Sequence, residues 1–184
     1  MRRVDAGEID ALLPQTQCTR CGYDGCLPYA QAVSAGAAQI NQCPPGGAAL
    51  IAQLAALTER APLALDASRG IEAPARLAWI DPATCIGCAH CLPPCPVDAI
   101  VGAQRQLHTV IDSWCTGCEL CLPACPVDCI HMVERPVTAP APTAHENRAR
   151  YREHQGRRTR TAQARALELA DLKQRAAPDE GAMP

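Results

Sequence analysis

Cys85, Cys88, Cys91 and Cys95 are separated by two, two and three residues, and Pro96 follows the last of them. The pattern returns thirty residues later as Cys115, Cys118, Cys121 and Cys125, followed by Pro126. This spacing is the two-cluster iron–sulfur motif, in which the fourth cysteine of each run serves the other cluster. Three thiolates at i, i+3 and i+6 on a tight loop reach three corners of one cube, and the fourth corner must be reached from elsewhere. The proline after the fourth cysteine turns the chain away and removes an N–H that would need a partner. Crossing over assigns Cys85, Cys88, Cys91 and Cys125 to one [4Fe–4S] cluster, and Cys95, Cys115, Cys118 and Cys121 to the other. It also ties the two repeats together, so iron loading is expected to be part of folding. Structural zinc takes two separated pairs of ligands in a tetrahedron and fits three cysteines in seven residues badly.

A further set lies upstream: Cys18-x2-Cys21-x4-Cys26-x16-Cys43. Its spacing alone suits a zinc knuckle or a third cluster. Gly22 and Gly25 allow tight turns between ligands, and Pro44-Pro45 echoes the Cys-Pro of the other runs; these details favour the cluster. Cys129 stands where the first repeat has Ala99, and reads as a small buried thiol. His90 lies inside a ligand loop and reads as a surface residue, while His108 and His131 read as packing or surface positions on strands. Asp98 and Asp128 follow matching Pro-Val pairs and read as turn caps. No nucleophile–base arrangement, phosphate loop or dinucleotide motif is visible, so no catalytic residue is expected.

The cysteines are expected to be free thiols. Their number, thirteen, is odd, and gaps of two or three residues are too tight for a framework of disulfides. No apolar stretch follows Arg2 and Arg3, as a secretory signal would require. The most apolar run, Ala48 to Leu57, is broken by Gln53 and falls short of the roughly 20 residues that span a bilayer. Charge is uneven: residues 1–142 hold eight arginines against thirteen acids, and residues 143–177 nine basic residues against four acids. The plan is an acidic body with a basic tail.

The elements that must position these groups are short. Phe is absent, and two Trp and three Tyr supply little aromatic core. Seventeen prolines favour loops over long regular elements. The expected class is α+β. Residues 1–62 form a small helical domain around the first cysteine set, with helices expected over 9–13, 28–39 and 48–60. Residues 63–75 are a linker. Residues 76–136 form a pseudo-twofold domain of two repeats, about 76–105 and 106–136. Strand signals precede the cysteines (Trp79-Ile80, Val110-Ile111) and follow them (Ile100-Val101, Ile130 to Val133). Residues 137–142 are a second linker, and 143–184 an Arg/Ala-rich helical or partly disordered tail opened by the capping box Thr143-x-x-Glu146.

The string Leu13-Pro-Gln-Thr-Gln-Cys18-Thr-Arg-Cys-Gly-Tyr-Asp-Gly-Cys26-Leu-Pro-Tyr-Ala-Gln-Ala, then Ile40-Asn-Gln-Cys43-Pro-Pro-Gly-Gly, resembles the B subunit of Rnf-type electron transport complexes. Two ferredoxin repeats follow in that family's order, and the likeness covers residues 8–136. It implies that Cys18, Cys21, Cys26 and Cys43 bind a [4Fe–4S] cluster, giving three clusters in all. It also implies a relay of single electrons within a membrane complex that couples redox chemistry to ion transport. Family members usually start with a membrane-anchoring helix, and the expectation here is a variant without one. Other redox subunits are the expected partners, with no small-molecule substrate and no nucleic acid. Membrane contact would run through those partners or the basic tail, in the cytoplasm at the inner face of a bacterial inner membrane. Two rival readings are a ferredoxin subunit of a soluble oxidoreductase and a cluster-based redox sensor.

Overall fold

Local signals set the ends of each helix, and the cysteine loops hang between them. The computed structural model describes residues 4–176. Helix α1 (Ala6–Leu12) starts three residues earlier than expected because Asp5 caps it, accepting from Gly7 N at 2.8 Å while Glu8 reaches back to Asp5 N. It stops at Leu13, whose extended backbone is what the following Pro14 demands. Helix α2 (Cys26–Ser34) begins on a cysteine and ends before Gly36, which turns at φ 76°. Helix α3 (Gly47–Thr58) ends at Glu59 in the left-handed region. Ile9, Leu13, Tyr29, Val33, Ile40, Leu50, Ile51 and Leu54 fill one core between these helices. Each such buried side chain contributes about 1.5–3 kcal/mol.

The second unit is held by two ribbons. Strand β1 (Arg76–Ile80) pairs antiparallel with β4 (Ile130–Glu134), the first strand of one repeat with the last of the other. Strands β2 (Ile100–Val101) and β3 (Thr109–Val110) pair in the same sense. Leu77, Ala78, Ile80, Val97, Ala99, Ile100 and Ile130 form its core together with five buried cysteines. On the outer face Trp79 stacks on its cross-strand partner His131 at 6.0 Å. The result is an α+β protein.

Helix α4 (Ala144–Ala176) opens at the expected capping box, with Thr143 N and Oγ1 donating to Glu146 at 2.8 Å and Glu146 N returning to Thr143 Oγ1. Its first turns are not the solvated face that their composition suggests. Asn147 and His154 are each only 3% exposed. Beyond Arg157 the helix stands exposed. Among the described residues no helix is long and apolar enough to cross a membrane.

Candidate metal centres

The upstream thiols sit on a loop that doubles back on itself. Gln15, Gln17 and Thr19 alternate through the left-handed region at φ 57, 54 and 57°, coiling the chain around Cys18. A buried amide chain fixes that coil. Gln15 Nε2 donates to the Asp10 carbonyl at 2.8 Å, Gln17 Nε2 to Gln15 Oε1 at 2.9 Å, and Cys26 N to Gln17 Oε1 at 2.9 Å. Gly22 and Gly25 both turn at positive φ, 88 and 115°. At Gly25 a Cβ would stand 2.6 Å from Gln17 Oε1, so only glycine fits between the amide chain and Cys26. Tyr29 holds the far side: its hydroxyl donates to the Gln39 carbonyl at 2.8 Å and accepts from Gln42 N, one residue before Cys43.

Cys18, Cys21, Cys26 and Cys43 then line one pocket with Leu13, Tyr29 and Pro44. Burial, reinforced by the neighbouring thiols, pushes Cys26 and Cys43 up to about 12 and raises Cys21 as well. Cys21, Cys26 and Cys43 so placed hold their protons until a cationic centre draws them off, which is how metal loading releases protons.

The two repeats of the second unit match almost bond for bond. Cys85 N donates to Asp81 O at 3.0 Å and Cys115 N to Ile111 O at 3.1 Å; Cys95 N donates to Leu92 O at 3.2 Å and Cys125 N to Leu122 O at 3.1 Å. Equivalent left-handed positions agree: Ala89 and Glu119 at φ 63 and 66°, Gly87 and Gly117 at 70 and 71°, Asp98 and Asp128 both at 51°. Cys95, Cys115, Cys118 and Cys121 line one pocket with Ala78, Val97, Ala99 and Ile100. Burial pushes Cys118 and Cys121 up to about 12, with the other thiols of that set as added repulsion. In the mirror site burial pushes Cys91 up to about 11, and the charges beside it are Cys88, Cys85 and Cys125. The fourth thiol of each group therefore comes from the other repeat.

These groups fit a cluster rather than a lone ion. Among the described residues no three His, Cys, Asp or Glu side chains close on a single-ion position. The thiols ring a shared space, and main-chain N–H groups aim at sulfur: Ala99 N to Cys95 Sγ at 3.2 Å and Ala78 N to Cys115 Sγ at 3.4 Å. Such donors stabilise sulfur that carries charge.

Several residues near the sites escape sequence reasoning. Cys129 is buried as expected, but its Sγ lies 3.4 Å from Cys125 Sγ. Burial of Cys129, reinforced by that neighbour, pushes it up to about 12. Burial alone would raise Cys125, yet N–H donors from Val127 and Cys129 and the Cys129 thiol turn its shift downward. His108 is buried, with Nδ1 3.7 Å from Cys85 Sγ. His90 and His131 are exposed, as expected. Asp98 does more than shape a turn, since it receives His154 Nδ1 at 2.8 Å and Arg157 from helix α4. Arg150 lies 3.6 Å over the ring of Trp114, the residue before Cys115. At its start, α4 reaches the first unit: Asn147 donates to the Pro14 carbonyl at 3.1 Å, and Arg148 pairs with Asp10 at 3.1 Å.

The two units also touch directly between their cavities. Thr116 Oγ1 donates to the Thr16 carbonyl at 3.2 Å, and Arg20 pairs with Glu119 at 2.6 Å. Thr16 lines the first cavity, and Thr116 and Glu119 line that of Cys95, Cys115, Cys118 and Cys121.

Residues 78–132 match the family model described as a 4Fe-4S dicluster domain, and residues 13–45 the one described as a putative Fe-S cluster. A protein of Alkalilimnicola ehrlichii, named as the B subunit of an ion-translocating oxidoreductase complex, is 60% identical over 130 residues, covering 70% of this chain and 69% of that protein. Proteins of the same name from Azoarcus sp. and Thiobacillus denitrificans are 60 and 55% identical, over 57 and 58% of this chain. Those matches span 57 and 56% of the relatives' own length. No solved structure matches the chain.

Proposed function

This chain belongs to the family of B subunits of ion-translocating oxidoreductase complexes, and on that premise we propose that it is a one-electron relay built on three [4Fe–4S] clusters. The clusters supply one-electron redox chemistry when bound, and no bond in a substrate is made or broken. Cys18, Cys21, Cys26 and Cys43 hold the first. Cys85, Cys88, Cys91 and Cys125 hold the second, and Cys95, Cys115, Cys118 and Cys121 the third. The observation that carries this reading is the gathering of twelve thiols into three groups, two of them crossed between repeats.

The chain's own residues bury the thiols, aim N–H donors at sulfur and keep the sites adjacent. Thr16, Thr116, Arg20 and Glu119 join the wall of the first cavity to that of the third site. The crossed ligands Cys95 and Cys125 join the third site to the second. The relay therefore runs from the first set, through the third, to the second, or in reverse. Its partners are other redox subunits of an ion-translocating complex, and its place is at the membrane surface through them.

Anaerobic reconstitution followed by metal analysis tests this reading. Three clusters require about twelve iron and twelve acid-labile sulfide per chain. About eight of each together with one zinc would remove the first cluster from the scheme.

A further inference from the structure

The two crossed sites share a backbone but not their side chains. The matching bonds from Asp81 N to the Cys129 carbonyl and from Ile111 N to the Ala99 carbonyl, with the strand registers, make residue 108 the mate of 78 and residue 129 the mate of 99. Beside Cys95, Cys115, Cys118 and Cys121 both positions are alanine, and Ala78 and Ala99 offer sulfur only their main-chain N–H. Beside Cys85, Cys88, Cys91 and Cys125 the same positions carry an imidazole and a thiol. His108 Nδ1 lies 3.7 Å from Cys85 Sγ, and Cys129 Sγ lies 3.4 Å from Cys125 Sγ with Cys85 as its other sulfur neighbour.

The surroundings are built for the imidazole. His108 is 4% exposed, and its other ring nitrogen has no partner among the described residues. Gly102 lies under the ring at φ 153°, where any Cβ would collide with it. A ligating sulfur is a thiolate and has no hydrogen to give, so the hydrogen in each contact comes from His108 Nδ1 or from Cys129. Hydrogen bonds to ligating sulfur ease the added negative charge of the reduced state, and so raise the potential.

The geometry points to His108 and Cys129 as positioning residues that raise the potential of the cluster held by Cys85, Cys88, Cys91 and Cys125, leaving the other ferredoxin-type site untouched. This inference rests on the electron-relay reading above. His108→Ala and Cys129→Ala copy the mirror site at each position without altering a ligand. Ala99→Ser does the converse, giving the mirror site a side-chain donor beside Cys95.

The test is a redox titration of the reconstituted full chain followed by electron paramagnetic resonance, with iron and sulfide counted for every variant. Each alanine variant should shift the reduced-to-oxidised ratio of one cluster about tenfold toward oxidised at fixed potential, or about 59 mV for a one-electron couple. The other two clusters should stay in place. His108→Asn, whose amide nitrogen sits near the position of Nδ1, and Cys129→Ser should recover most of the shift. Ala99→Ser should move the mirror cluster in the opposite direction. Fully loaded alanine variants with every potential unchanged would overturn the proposal. If those variants fail to load iron, the absence of any upward shift in Ala99→Ser overturns it. A wild-type chain that takes up no iron would instead defeat the relay reading, and this inference with it.

Discussion

The seating of helix α4 can be broken at two side chains. Asn147 and His154 are its buried anchors, one bonded to the Pro14 carbonyl of the first unit and the other to Asp98 of the second. They are seven residues apart, or about 10 Å along the axis, far enough for their contributions to add. A hydrogen bond of this kind contributes about 1–1.5 kcal/mol net. Replacing both with alanine should therefore weaken docking by about 2–3 kcal/mol, or about 30- to 150-fold in the equilibrium. Amide hydrogen exchange reads this directly, because the helix carries its own reference. Residues 158–175 are exposed and owe their protection to helix formation alone, whereas 147–157 add the docking energy. In Asn147→Ala/His154→Ala the excess protection of 147–157 should fall by about 30- to 150-fold toward the level of the exposed run, the Arg148–Asp10, Arg150–Trp114 and Arg157–Asp98 contacts remaining. Gln163→Ala, on the exposed run, should change nothing. Undiminished excess protection in the double variant would show that these contacts do not hold the helix, and would refute the reasoning.

The sites allow sharper chemical tests. Gly25→Ala forces a Cβ against Gln17 at a left-handed position, so iron should fall from about twelve to about eight per chain with both ferredoxin-type signals intact. Cys125→Ala should remove the signal of the cluster whose other three ligands lie in the first repeat, not the second; loss of the second-repeat signal would disprove the crossing. Hydrogen bonds from Thr143 N and Oγ1 hold the Glu146 carboxyl below the usual carboxylate range. Its capping contribution is then fully present above the unfolded value of about 4.3 and is lost as pH falls through the lower folded value. Circular dichroism between pH 6 and 2 should show helix loss that Glu146→Ala no longer shows. Arg20→Ala together with Thr116→Ala should slow electron exchange between the first cluster and the ferredoxin pair while leaving iron content unchanged; an unaltered intramolecular rate would remove that contact from the route.

Much of this architecture is legible along the chain because cluster ligation is local chemistry. Three thiols must reach three corners of one cube, so their spacing is fixed within seven residues, and the trailing Cys-Pro marks the fourth. Capping residues act within one helical turn, which is why Thr143 and Glu146 announce the start of α4. At α1 the start lies three residues ahead of the first apolar position, because the Asp5–Glu8 capping box precedes Ile9, the helix's buried residue. The buried Gln15–Gln17 chain left no mark, since two glutamines in a polar stretch look like loop residues until their amides find one another.

What lay beyond the sequence were contacts between segments that share no local signal. Helix α4 is rich in Arg, Ala and Gln and has only weak apolar periodicity, so its composition describes a solvated tail. Its seat is made instead by polar side chains that find Pro14, Asp10, Trp114 and Asp98, partners 36 to 138 residues away. The repeat in the sequence revealed that position 129 mirrors 99; that 108 mirrors 78 is decided by the strand registers, because the Ile-Asp pairs ahead of the cysteines are offset by one residue more than the cysteines themselves. It could not reveal that these positions face the sulfurs of Cys85 and Cys125. The side chain at each position is a matter of sequence, but its distance to a thiol is set by antiparallel pairing of β1 with β4 and of β2 with β3, which folds one repeat against the other.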